Sequence, residues 1–92
     1  MDENNPPEAD ELLVFPNPTN SSLTISFSSF EKQSIELRIY NTLGKQIYFS
    51  KEEIIKGKFE KEINVEKWSE GIYFLQLKIK DEIINRKIII SH

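Results

Sequence analysis

Apolar residues in this chain recur at every second position, segment after segment, and nowhere with the spacing of a helix. Residues 22–28, SLTISFS, put Leu23, Ile25 and Phe27 on one face and Thr24, Ser26 and Ser28 on the other. Residues 34–40, SIELRIY, set Ile35, Leu37 and Ile39 against Glu36 and Arg38. Residues 72–80, IYFLQLKIK, set Tyr73, Leu75, Leu77 and Ile79 to one side. Side chains of an extended chain alternate between its two faces, so a period of two marks a half-buried strand. Shorter runs of the same kind are ELLVF (11–15), ended by Pro16, and QIYFS (46–50). In KFEKEINV (58–65), Phe59, Ile63 and Val65 alternate with Glu60, Glu62 and Asn64, and Lys61 interrupts the apolar face. IINRKIIIS (83–91) closes the series.

Turn chemistry separates these runs. NTLGK (41–45) offers Asn41 and Gly44, and Asp81-Glu82 predicts a tight turn. Gly44, Gly57 and Gly71 read as hairpin tips, since glycine tolerates positive φ. VEKWSEG (65–71) is too short for a stable helix and ends in glycine, which predicts a corner. About seven short strands at regular intervals predict an all-β fold, an immunoglobulin-like antiparallel β-sandwich.

The totals bound this reading. Ninety-two residues suit one small domain, whose folding removes roughly 65% of the unfolded surface. There is no cysteine, so neither a disulfide nor a thiolate metal site is available and packing alone must hold the fold. No apolar run approaches the ~20 residues of a membrane-spanning helix, and membrane insertion is not expected. Residues 1–10 contain Pro6, Pro7, two Asn and four carboxylates, with only Met1 and Ala9 apolar. They bury too little to offset their ordering entropy, so residues 1–11 read as an acidic flexible linker and residues 12–92 as the domain. This acidic start is the opposite of a signal peptide. A domain acting outside the cytoplasm would take its export signal from upstream in a longer parent chain, with Met1 then an artificial start.

Charge is unevenly placed. The formal total is −3, yet residues 1–31 hold six acidic side chains and no basic one. From Lys32 onward, 12 Lys and Arg face nine acidic residues, a balance of +3. Lys and Glu alternate too closely there to build the one-sided basic patch that nucleic acid requires.

Few residues invite chemistry. His92 is the last residue, where a catalytic imidazole lacks rigid neighbours. The three glycines lie too far apart to cradle a phosphate. The pairs Asp2/Glu3, Glu52/Glu53 and Asp81/Glu82 lack the Asp/Asn-rich spacing of a calcium loop and read as solvated turns. Asn20 opens an Asn-Ser-Ser sequon. No cofactor or metal is expected, and a sandwich of this size offers no deep cleft for paired catalytic carboxylates. Trp68 is either a stacking platform for sugar or a plug over the core's end, and its corner position favours the plug. Tyr73, early in the next strand, is similar to the corner tyrosine of Greek-key sandwiches. In KIIIS, Ile88, Ile89 and Ile90 put apolar side chains on both faces. That fits a strand covered on both sides, or an edge strand offering backbone and side chains to a partner. Pro16-Asn17-Pro18 removes two backbone donors and so ends the first strand.

Four pieces then occur in order: VFPNPTNSSLTISF, LRIYNTLGKQIY, INVEKWSEGIYFLQLKI and RKIIISH. This series resembles the C-terminal sorting domain of the type IX secretion system (the Por secretion domain) of Gram-negative Bacteroidota, over residues 12–92. Trp68 departs from it, since a Leu-like residue is usual there. The resemblance implies a non-catalytic tag with a seven-stranded immunoglobulin-like fold at the C-terminus of a larger cargo protein. The parent would cross the inner membrane by its own signal. The tag would be recognised in the periplasm and carried through the outer-membrane translocon. A sortase-like cysteine peptidase would cut it before Leu12, leaving the cargo released or attached to the cell surface. The family motif falls on Pro16, Asn17 and Pro18, on Gly44 and Lys45, on Gly71, Ile72 and Tyr73, and on Lys87, Ile88, Ile89 and Ile90. The resemblance inclines the last strand and Lys87 toward recognition, and Gly71 and Tyr73 toward scaffold. An exposed terminal edge strand makes weak homo-association an expectation. An accessory adhesion or carbohydrate-binding module is the alternative function.

Overall fold

A computed structural model of the chain describes residues 12–29, 33–54 and 57–92. The acidic leader, residues 1–11, lies outside them, and so do the reading of Asp2/Glu3 as a solvated turn and the expected cut site.

Seven strands account for most of the described residues: β1 (Leu12–Phe15), β2 (Ser22–Ser29), β3 (Gln33–Asn41), β4 (Gln46–Ile54), β5 (Gly57–Asn64), β6 (Gly71–Ile79) and β7 (Glu82–Ile90). They form a three-stranded sheet, β1-β2-β5, and a four-stranded sheet, β4-β3-β6-β7. Every pairing is antiparallel. No helix occurs among the described residues. The expected all-β, immunoglobulin-like sandwich is what forms, with its fourth strand beside β3.

The inward residues are those the alternation picked out. Leu23, Ile25 and Phe27 from one sheet meet Ile35, Leu37, Ile39, Leu75 and Leu77 from the other, all almost wholly buried. Burying such a side chain contributes about 1.5–3 kcal/mol, and ordering the chain offsets most of the sum. Register explains the fit: Leu37 stands opposite Leu77 and Ile39 opposite Leu75 across β3 and β6. A one-residue slip would turn every one of these side chains to solvent.

Lys61 resolves its own anomaly. It occupies an inward position on edge strand β5, opposite Ile25, and its Nζ crosses to Glu52 Oε2 on β4 at 3.0 Å. A lysine can lay its apolar stem along the core and keep its head at the rim. The bridge closes one flank of the sandwich. On the other flank Arg86 Nη2 of β7 donates to Leu12 O of β1 at 3.3 Å.

Three local expectations are corrected. The β6–β7 turn is Lys80-Asp81, one residue earlier than Asp81-Glu82, because Glu82 already pairs with Ile79. Lys80 takes the positive φ, +56°. Gly57 and Gly71 are not hairpin tips; each opens a strand where the chain crosses from one sheet to the other, and only Gly44 sits in a hairpin turn. β4 runs on to Ile54, beyond the QIYFS segment. Its second half, Lys51, Glu52 and Glu53, shows no apolar alternation because backbone pairing with β3 carries it along the sheet's edge.

Candidate functional site

The Pro16-Asn17-Pro18 segment does more than stop β1. Its prolines cannot donate to a ladder, and both the Phe15–Pro16 and Asn17–Pro18 peptide bonds are cis. The Asn17 side chain takes over the pairing that the backbone cannot supply. Its Nδ2 donates to Lys87 O at 2.8 Å, and its Oδ1 accepts the Ile89 N–H at 2.9 Å. A carboxamide has the donor and acceptor of a peptide group, so Asn17 clasps the outer edge of β7 as a neighbouring strand would. Thr19 continues the clasp with its backbone. Thr19 N donates to Ile89 O and Ser91 N donates to Thr19 O, both at 2.9 Å. Thr19 and Ile90 thereby form a parallel bridge. Thr19 is buried, and its hydroxyl donates to Ser22 O.

The corner before β6 is built on the same end. Tyr73 Oη donates to Ser69 O at 2.6 Å, as expected of a corner tyrosine. Trp68 is half-buried against the core, its ring centroid 5.4 Å from that of Tyr73. Val65, one residue past β5, is buried, and its N–H donates to Ser21 O at 2.8 Å. His92 is tied in as well: its Nε2 lies 2.7 Å from Trp68 O and donates to it.

The NTLGK turn completes the end. Asn41 Oδ1 accepts the N–H of Leu43 at 2.9 Å and of Lys45 at 3.0 Å, an Asx-type cap that fixes the turn. Gly44 supplies φ +84°. Asn41 pairs with Tyr73 across β3 and β6, which anchors the turn beside the corner.

All four pieces of the motif therefore meet at one end of the sandwich. Pro16, Asn17 and Pro18 touch the strand of Lys87–Ile90, that strand pairs with Gly71–Tyr73, and the Gly44–Lys45 turn stands next to Tyr73. Lys87 and Ile89 are exposed, whereas Ile88 and Ile90 are 0% and 1% exposed and belong to the core. Leu12, the first described residue, lies toward the other end of the sandwich. Leu12 pairs with Phe27, displaced roughly 17 Å along β2 from Ser22, and β1 runs from there toward the motif end. The sequence reading missed Thr19, which has no signal beyond following Pro18. It also missed the partner of Asn17, because hydrogen bonds spanning 70 and 72 residues leave no local trace.

Among the described residues no group of His, Cys, Asp and Glu side chains converges into a metal site. The fold and the clasped end define a class: a small all-β module whose motif residues build one end of a sandwich. The chain matches the family model described as the secretion system C-terminal sorting domain over residues 13–91, and it belongs to that family of type IX secretion sorting domains. Comparison with curated proteins returned no match.

Proposed function

We propose that this domain is a non-catalytic sorting signal that directs a larger parent chain across the outer membrane, read at the end where Asn17 clasps β7. Family membership supports the sorting role. The convergence at that end of motif residues scattered over the whole sequence is the observation that carries the choice of site. Within it Lys87 and Ile89 are the groups a partner reaches, and Asn17, Gly71 and Tyr73 hold them in place. Recognition takes place in the periplasm by the type IX machinery. A sortase-like peptidase then cuts within residues 1–11, upstream of Leu12, where the ladder with β2 begins. The cargo is released or attached at the cell surface.

A secretion assay tests this. Residues 1–92 are fused behind a fluorescent protein with its own N-terminal export signal, in a host with the type IX machinery and in one lacking the translocon. Fluorescence at the cell surface or in the medium of the first host alone is the expected result, and mass spectrometry of that product locates the cut. Periplasmic retention of a folded fusion in both hosts would remove the proposal and turn attention to glycan binding.

A further inference from the structure

Along its motif half the backbone edge of β7 is closed to an added strand. Asn17 and Thr19 already occupy Lys87 O, both peptide groups of Ile89 and Ser91 N. What this half of the strand still offers is side chains on the outer face of its sheet. There Ile89 stands opposite Ile72, and Lys87 opposite Phe74. Phe74 stands in turn opposite Tyr40 on β3. One row further Arg38 faces Phe49, its guanidinium carbon 4.8 Å from the ring centre. Phe49, Ile72, Phe74 and Ile89 are between 36% and 47% exposed. The solvent face of an antiparallel sheet ordinarily takes polar residues, and neighbouring apolar side chains across all its strands mark a contact surface.

The charges around this patch have one sign in excess. Among the described residues of its strands, Arg38, Lys51, Lys78 and Lys87 share the face with only Glu36 and Glu53. Glu36 is already compensated. Arg38 Nη1 reaches its Oε1 at 2.7 Å, and Lys51 and Lys78 flank it in register. That hydrogen bond, with the charges of Arg38, Lys78 and Lys51, holds the Glu36 carboxyl below its ordinary range. The outer face of the other sheet carries Glu60 and Glu62 instead.

We propose that this outer face of the four-stranded sheet, centred on Phe74, is where the sorting machinery holds the folded domain, and that its partner is a protein surface with an apolar centre ringed by carboxylates. The proposal rests on the sorting reading above and specifies its contact surface. Aromatic side chains in the middle with cations around them are the composition of a binding hot spot and its rim. Strand spacing and rise put the face at on the order of 400 Å² in plan, below the ~800 Å² per partner of a long-lived complex. A face of that size suits a load that is picked up and let go.

The test uses the same fusion in the type IX host. Phe74→Thr and Ile89→Thr remove apolar area and leave a β-branched residue on the strand, and the pair Lys51→Gln with Lys78→Gln removes two of the rim's charges without setting carboxylates opposite Glu36. We expect thermal transitions close to the parent's and an export loss of about tenfold or more for Phe74→Thr, with a smaller loss when the two lysines are neutralised. Leu13→Thr, on the opposite sheet, should export as the parent does. A folded Phe74→Thr protein exported at the parent level overturns the face and leaves the sorting role standing. Retention of the unsubstituted fusion removes the sorting role and the face together. A dimer of the unsubstituted domain that Phe74→Thr dissociates makes a second copy the occupant, through its Glu60/Glu62 face or its own sheet, and also overturns the proposal. If Phe74→Thr fails to fold, the protein with both lysines neutralised, which keeps Arg38 on Glu36 and every apolar residue of the face, decides the question.

Discussion

Asn17 Oδ1 accepts the N–H of Ile89 at 2.9 Å although 72 positions separate the two residues. With the second bond to Lys87 O, one side chain joins the segment before β2 to the strand that closes the fold. Both partners lie at the exposed edge, where water can replace them. The net contribution of the two bonds is therefore modest, about 1–2 kcal/mol. Asn17→Ala is expected to lower Tm by about 4–16 °C for a domain of this size. Calorimetry checks the stability, and amide exchange checks its origin: the Ile89 N–H should lose protection first, and amides in the middle of β3 should not.

Neighbouring isoleucines in the last strand should behave in opposite ways. Ile88 is fully buried, so Ile88→Ala leaves a cavity and costs about 2–5 kcal/mol. That is a large part of the ~5–15 kcal/mol that holds a domain together. Ile89 is 36% exposed, and Ile89→Ala should cost less than about 1 kcal/mol. Urea unfolding of the two variants separates scaffold from contact surface before any export is measured.

Tyr73→Phe keeps the ring against Trp68 and removes only the bond to Ser69 O. The expected loss is about 1 kcal/mol with an unchanged urea m-value. A larger loss with an altered m-value would mean that the corner between β5 and β6 opens with the bond.

Acid should loosen the flank between β4 and β5. The Ser50 hydroxyl, then the Lys61 ammonium, lower the Glu52 pKa from its ordinary 4.5. A carboxyl whose pKa falls on folding contributes stability above its unfolded pKa and loses it as pH falls through the folded value. The Lys61 pKa is raised by the same hydrogen bond, so its share is complete below pH 10.5 and disappears only above that. The pair is partly exposed, so its value at neutral pH stays below about 1 kcal/mol. Unfolding between pH 6 and 3 should show a shallower acid decline in Glu52→Gln than in the parent. Equal slopes would remove Glu52 as the cause.

The fold was legible wherever one face of a strand is buried and the other wet. Leu23, Ile25 and Phe27, or Tyr73, Leu75, Leu77 and Ile79, announce their side by alternation, and the sandwich follows from having seven such runs. The second half of β4 was not legible, because Lys51, Glu52 and Glu53 are held by backbone pairing, to which side-chain pattern is blind. The Lys80-Asp81 turn was misplaced by one residue because Lys80, with no glycine's freedom, adopts the positive φ. At the motif end, Pro-Asn-Pro reads correctly as a strand stop, but the work of the asparagine between the prolines depends on a strand seventy residues away. The outer patch left a fainter trace. In IYFLQL the outward Ile72 and Phe74 are as apolar as the inward Tyr73 and Leu75, an excess that alternation alone treats as noise.

The clasp also sets an order of events. β3 with β4, and β6 with β7, are hairpins that close over short stretches of chain, and such local pairings form early. Asn17 and Thr19 have no partners for these bonds until β7 exists. A polypeptide broken off anywhere before Lys87 can never assemble this end, whatever else of it folds. The clasped end is thus carried only by molecules in which β7 has been both synthesised and placed.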